Sequence, residues 1–330
     1  MSLTYASSGV DIGLENQAIA SLAKQLTFKR KGFGSPLTNI GHYAGLIDFG
    51  EYALALTTDG VGSKVMIANE MKRWYTIGID CIAMNVNDLL AMGIEPLAFV
   101  DYVAIQEPND EIMKQLGMGL ERGAELSNMT IVGGETASLP DMIKGLDVAG
   151  TCLGMVKKDK VITGEKIEIG DKIIGMPSNG VHSNGYSLVR KIINNSQYSY
   201  HDEIDEFGGY LLGDELLIPT RIYMELLDVI KNFEIHGLAH ITGGGLMKLQ
   251  RITKHGFDIF DPLEPQPVFK FLQKEGKVDD IEMYKTFNMG MGFVVVAPSK
   301  FASNIAKTLG GKVVGEIVEK GIKVGNLKIL

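Results

Sequence analysis

The sequence predicts a protein of two domains, in each of which β-strands and α-helices follow one another, and three observations point that way. Its 330 residues exceed one ordinary core, its 45% hydrophobic content argues against disorder, and a charged connector, Lys157-Lys158-Asp159-Lys160, falls near the middle. The domains are therefore set at 1–158 and 159–330. A net charge of −8 gives no general attraction to nucleic acid or to an anionic membrane. Any phosphorylated ligand must then be held by local cations, backbone amides or a metal. Cys81 and Cys152 stand in apolar neighbourhoods, which suits two buried, reduced thiols in a cytoplasmic protein better than a disulfide. No run is long enough to span a bilayer, and the stretch from Met1 to Gln17 lacks the basic start and apolar core of a secretory leader.

In the first half, Lys29 to Pro36 and Gly41 to Gly45 combine basic residues, glycines and a proline. This is either a mobile loop able to close over an anion or a solvated linker. Leu54 to Thr58 is an apolar strand that stops at Asp59, and Gly60-Val61-Gly62-Ser63-Lys64 follows. The glycines can take positive φ or bring backbone N–H groups close to a ligand, while Ser63 and Lys64 add a hydroxyl and a cation. That suits a phosphate and its metal, although a Thr-Asp-Gly turn also occurs without one. Neither a Walker A loop nor a G-x-G-x-x-G pattern is present. From Tyr75 to Met92 the apolar residues recur at helical spacing, with Gly93 at the C-cap position. Asp80, Asn85, Asn87 and Asp88 interrupt that apolar helix. An acid near a core is costly unless paired or bound to a cation, so Asp88 is either a metal ligand or a hydrogen-bonded acid nearer the surface.

Pro96 to Val103 reads as a strand, a second amphipathic helix starts near Asn109 or Asp110, and Thr130 to Val132 is a short strand running into Gly133-Gly134-Glu135-Thr136. This repeats the earlier order of strand, glycines and acid. Asp59, Asp88 and Glu135 together offer enough hard oxygen for one or two Mg2+ ions, which also take phosphate and water. Val148 to Val156 closes the first half as a strand. In the second half, Lys172 to Met176 is a strand leading through Pro177-Ser178-Asn179-Gly180-Val181-His182-Ser183-Asn184-Gly185 to a helix over about Ser187 to Asn194. Small polar residues ahead of a helix make an anion site from unsatisfied N–H groups, and His182 can donate to that anion. Leu238 to Ile241, then Thr242-Gly243-Gly244-Gly245, gives another strand, glycine turn and helix start.

These motifs, together with Thr76-Ile77-Gly78-Ile79-Asp80, Val86-Asn87-Asp88, His182 to Lys191, Pro219-Thr220-Arg221-Ile222-Tyr223 and Met283 to Asn288, follow in the order of one known family. The chain closely resembles the phosphoribosylformylglycinamidine cyclo-ligase family, also called aminoimidazole ribonucleotide synthetase, over nearly its whole length. The acids and glycines are shared with other ATP-using enzymes, whereas the His182 to Lys191 and Tyr284 to Asn288 runs are specific to this family. Two departures are Ile94, where the family has Ala, and Gly41-His42-Tyr43-Ala44, where it has a Gly-Gly-Phe-Gly pattern. The resemblance implies an α+β fold in which an N-terminal mixed sheet forms a barrel-like dimer core and an α/β sandwich-like domain follows. It implies a cytoplasmic homodimer of purine biosynthesis that binds ATP and Mg2+ and acts on formylglycinamidine ribonucleotide. On that reading Asp59, Asp88 and Glu135 hold Mg2+, while Gly60, Gly62, Ser63, Lys64, Asn87, Gly133, Gly134 and Thr136 hold the nucleotide. Ser183, Asn184, Gly185, Thr242, Gly243 and Gly244 bind substrate, and His182, with Asp59 and Asp88, serves the chemistry. Thiamine-monophosphate kinase and a catalytically silent nucleotide-binding protein are the competing readings. The absence of a Cys before Cys81 disfavours selenophosphate synthetase.

Overall fold

The computed structural model describes residues 3–330. Alternation of apolar and small residues builds a first sheet from β1 (Gly45–Phe49), β2 (Tyr52–Gly60), β3 (Glu95–Ile105), β4 (Thr130–Ser138) and β5 (Leu146–Lys157), in the order β1-β2-β5-β3-β4. Only β3 and β4 run parallel, so the sheet is mixed. Helix α1 (Ile12–Ala23) precedes this sheet, α2 (Lys64–Met71) and α3 (Tyr75–Leu90) follow β2, and α4 (Asp110–Leu126) connects β3 to β4. Ala53, Ala55 and Thr57 of β2 are buried, whereas Leu56 and Thr58, which alternate with them, are exposed. The sheet thus has one face under α3 and one open face. α3 crosses α4 at Gly78 and Gly119, where a Cβ on Gly119 would collide with the Tyr75 carbonyl. Backbone-to-backbone approach at this crossing sinks α3 so deeply that all but three of its residues are buried.

The second sheet has seven strands in the order β14-β13-β10-β12-β6-β11-β9. Its members are β6 (Lys172–Pro177), β9 (Gly237–His240), β10 (Gly256–Ile259), β11 (Met291–Ala297), β12 (Lys312–Val318), β13 (Ile322–Val324) and β14 (Leu327–Lys328). A small ribbon, β7 (Glu203–Ile204) with β8 (Tyr210–Leu211), stands apart from it. Helices α5 (Tyr186–Asn195), α6 (Leu212–Leu216), α7 (Leu226–Asn232), α8 (Pro267–Gly276), α9 (Asp280–Thr286) and α10 (Ser299–Thr308) complete this half. The run Met291 to Ala297 is buried throughout, as expected of a strand enclosed on both faces. The chain is therefore a two-domain mixed α/β protein. Cys81 and Cys152 are free and buried, and burial raises both thiols, that of Cys152 to about 12.

Three sequence expectations change. β2 does not stop before Asp59 but continues to Gly60, because its ladder with β5 persists through Gly60↔Ala149. Gly133-Gly134-Glu135-Thr136 is not a turn after a strand: it lies inside β4, paired with Val100 to Val103 of β3. Gly134 is accommodated there because the Asp101 carboxylate occupies the space a Cβ would need. The basic segment is also not wholly a loop. The Gly34 N–H donates to the Asp48 carbonyl at 2.9 Å and the Asp48 N–H to the Ser35 carbonyl at 2.8 Å, laying Gly34 to Leu37 along the edge of β1.

Candidate functional site

The two halves meet along α3, and the acids of the first half face the loops of the second there. Asp59 points to the buried side of β2, and its backbone carbonyl accepts from the Asn85 amide at 3.1 Å. Burial, and then the negative charge of Asp88, push its carboxyl up to about 6. One helical turn past Asn85, Asp88 accepts a hydrogen bond from His240 Nδ1 at 3.0 Å. A carboxylate cannot donate, so the His240 ring carries its hydrogen on Nδ1 and presents Nε2 to the Asn87 amide, 3.4 Å away. Lys248 faces both acids, and burial lowers its ammonium to about 8, with the nearby Arg251 acting in the same sense. Burial and the neighbouring Asp88 charge leave Asp59 short of positive charge, and a divalent cation would supply it.

Around these acids lie three loops with unsatisfied backbone donors. Among the described residues, no protein acceptor is found for the N–H groups of Gly62 and Ser63, of Ser183 and Asn184, or of Thr242, Gly243 and Gly244. Ser63 Oγ lies 3.4 Å from Ser187 Oγ, which brings the β2 loop to the start of α5. A Cβ on Gly243 would lie 2.7 Å from Asn184 Oδ1, so the two second-half loops touch. Gly185 caps α5 with φ 82° and turns its N–H towards the Tyr5 hydroxyl. Converging free N–H groups of this kind, two sets of them at the starts of α2 and α5, form a cradle for anions.

His182 holds φ 67°, a left-handed conformation rare for a side chain of its size. The ring is buried against the space left by Gly292, whose Cβ would strike the Tyr223 hydroxyl. Burial, reinforced by His240, Lys64 and Arg221, pushes its pKa well below the usual value, so the imidazole is neutral. Nε2 accepts from the Asn179 N–H at 3.2 Å, which leaves Nδ1 as a buried N–H without a protein partner. Such a group stabilises a developing negative oxygen by donation. It is too weak a base at neutral pH to be a ready proton carrier.

Several predicted site residues lie elsewhere. Lys64 does not face a phosphate: it is fully buried, with Nζ 2.7 Å from Asp80 Oδ2 and 2.7 Å from the Ile218 carbonyl. A buried ammonium must be paired, and Asp80 provides the pairing. Asn87 is committed to the second half, donating to the Arg221 carbonyl at 2.8 Å and accepting from the Tyr223 N–H at 3.2 Å. Glu135 is not brought to Asp59 and Asp88. The row Asp59↔Gly150↔Asp101↔Gly134 shares one face, so Glu135, the next residue, points to the open face of the sheet. Gly133, Gly134 and Thr136 lie with it in β4, three strand spacings or about 14 Å from β2. Among the described residues no three His, Cys, Asp or Glu side chains form a metal-binding cluster. Two carboxylates remain, and Mg2+ commonly needs no more from a protein when phosphates and water supply the rest.

Two segments match known family descriptions: residues 41–156 match "AIR synthase related protein, N-terminal domain", and residues 168–327 match the corresponding C-terminal domain. A phosphoribosylformylglycinamidine cyclo-ligase of Methanosarcina barkeri is 65% identical over 99% of this chain and 98% of its own length. The chain belongs to the phosphoribosylformylglycinamidine cyclo-ligase family. A second relative of that name, from Methanococcoides burtonii, is 64% identical over 99% of this chain and 98% of its own. The fold is also that of the solved structure of AaThiL complexed with AMPPCP and TMP, with a TM-score of 0.67 at 16% identity, covering 95% of this chain and 94% of that one.

In this cyclo-ligase family member, sequence reasoning missed His240 and Lys248. His240 ends β9 just ahead of the Thr242 to Gly245 loop, and a histidine at the end of a strand that runs into a glycine turn is a signal in itself. Lys248 stands three residues after Gly245, in the middle of a short 3-10 helix (Gly245–Arg251), where a cation close behind a glycine loop is likewise a usable signal. Asp101 was also missed; it shares the Asp59 row, and burial raises its carboxyl.

Proposed function

We propose that this chain uses ATP to convert formylglycinamidine ribonucleotide to aminoimidazole ribonucleotide, releasing ADP and phosphate, in purine biosynthesis. The observation that carries this is the placement of Asp59, Asp88 and Lys248 beside three loops with free N–H groups, in a chain 65% identical to a relative named for the reaction. The γ-phosphate passes to the formyl amide oxygen, an internal nitrogen attacks that carbon, and phosphate leaves as the ring closes. Asp59 and Asp88 would hold Mg2+, which when bound neutralises charge on the polyphosphate. Lys248 faces the same charge. Gly62, Ser63, Thr242, Gly243 and Gly244 receive phosphate oxygens through their N–H groups, and Ser183 and Asn184 hold the substrate. His182 offers its Nδ1–H to oxygen as negative charge grows there. ATP binding is in keeping with the AMPPCP present in the structural neighbour AaThiL.

Incubation with formylglycinamidine ribonucleotide and Mg-ATP should yield ADP, inorganic phosphate and aminoimidazole ribonucleotide in equal amounts. A stable phosphorylated product without free phosphate would support a kinase instead, and binding without turnover a silent protein.

The open sheet face bears Leu56, Val100, Tyr102 and Val132, the last 65% exposed. An apolar face of this kind suits burial against a second copy, giving a barrel-like dimer core from the two sheets. Glu135, on that face, would then reach a phosphate site only across the pair of subunits. Light scattering at micromolar concentration should report a dimer, and a stable monomer would count against the arrangement. A cytoplasmic location and a boundary at 158/159, between the family matches to 41–156 and 168–327, complete the reading. No helix among the described residues is long and apolar enough to cross a membrane.

A further inference from the structure

Ser183 ends a buried chain of hydrogen bonds that crosses between the two halves of the protein, and the direction of every bond in it is fixed. Lys64 of α2 and Asp80 of α3 are both 0% exposed and form an ion pair at 2.7 Å. The other carboxylate oxygen, Asp80 Oδ1, accepts from the Thr220 N–H at 2.7 Å and from Thr220 Oγ1 at 2.6 Å. A carboxylate facing an ammonium only accepts, so the single hydroxyl hydrogen of Thr220 lies on the Asp80 side. Were it turned away, two lone pairs would face one another at that short distance. Ser183 Oγ lies 3.1 Å from Thr220 Oγ1. With no hydrogen left on Thr220 to give, the hydrogen between the two hydroxyls comes from Ser183. Ser183 therefore keeps only lone pairs for anything else it meets.

From this polarity we infer that the Ser183 hydroxyl accepts a hydrogen bond from a donor on the bound ribonucleotide, an N–H or a sugar hydroxyl, and takes no part in holding its phosphate. Asp80 and Thr220 are positioning residues that commit the Ser183 hydrogen. This rests on the reading that the Ser183 to Gly185 loop holds substrate. It also divides the labour within the loop. The free N–H groups of Ser183 and Asn184 suit anionic oxygen, whereas the Ser183 hydroxyl rejects anionic oxygen and selects a group that carries hydrogen. The roles of side chain and backbone are thus opposite at one residue, and the buried ion pair at the far end of the chain sets the difference.

The test uses the full-length protein with Ser183→Ala, Thr220→Val and Thr220→Ser. It measures KM for formylglycinamidine ribonucleotide, KM for ATP, and inhibition by sulfate in competition with the ribonucleotide. Sulfate carries no hydrogen at neutral pH and so probes the N–H groups alone. Ser183→Ala and Thr220→Val should raise the ribonucleotide KM about five- to tenfold, as for loss of one hydrogen bond, with the ATP KM and the sulfate inhibition constant within about twofold of the parent. Thr220→Ser, which keeps the hydroxyl, should restore the parent ribonucleotide KM. If Ser183→Ala weakens sulfate and ribonucleotide equally, Ser183 donates to the anion and the inferred polarity is wrong while the loop remains the substrate site. If Thr220→Ser behaves as Thr220→Val, the chain does not govern Ser183. A rise in the ATP KM alone, or no competition by sulfate in the parent, would instead remove the loop from the substrate site.

Discussion

Replacing Asp88 by Asn is expected to lower turnover by about 10²–10³-fold and leave the protein folded, since on the proposed reading the lost charge acts on transferring phosphate through Mg2+ rather than on the core. The oxygen of the introduced amide can still accept from His240 Nδ1–H, the bond that Asp88 makes at 3.0 Å, so the contact between the halves survives. Near-normal turnover at limiting Mg2+ would remove Asp88 from the metal site. The partner acid gives a second signature of function. The Asp59 carboxyl is raised from 3.8 to about 6 by burial and then by Asp88. A carboxyl raised on folding favours the native state below its unfolded value, and that contribution is lost as pH rises from about 4 through about 6. At neutral pH it leaves a charge that the fold holds at a cost of no more than about 3 kcal/mol. Asp59→Asn, neutral at all pH, should therefore melt higher than the parent at pH 7.5 without metal, by a margin that shrinks towards pH 5, and yet be inactive. Melting curves with a margin independent of pH, or a less stable variant, would contradict this. A residue whose removal stabilises the protein and abolishes activity is one kept for its chemistry.

Lys64→Met should cost about 3–5 kcal/mol in urea unfolding, the loss expected when one member of a buried ion pair is removed and the other is left charged in the interior. The ammonium is 2.7 Å from Asp80 Oδ2, 2.7 Å from the Ile218 carbonyl and 5.6 Å above the Tyr186 ring, and all three would lose it. Adding Asp80→Asn should recover part of the loss, because the amide can still accept from Thr220 without stranding a charge. Strictly additive losses in that cycle would show the pair to be uncoupled. Were Lys64 a phosphate contact, the same substitution would depress turnover and barely alter stability.

Much of the fold was legible because local chemistry announced it. Helical spacing over Tyr75 to Met92 and the left-handed Gly93 beyond it gave α3 almost to the residue, and the Asn109 cap gave the start of α4. The order of the motifs was enough to place the chain in its family. The sequence by itself thus determined the elements, the two-domain organisation and the residue types from which the site is built. What it left undecided is how the halves face each other, because that depends on pairings between residues far apart in the chain. Glu135 follows the same pattern of strand, glycines and acid as Asp59, yet one position along a strand reverses the face a side chain occupies, and the parallel register with β3 turns Glu135 away from Asp59. Lys64 and Lys248 are both lysines beside glycine loops. Only the tertiary structure places one against Asp80, where a buried charge must be neutralised, and leaves the other facing Asp59 and Asp88, where a phosphate can use it.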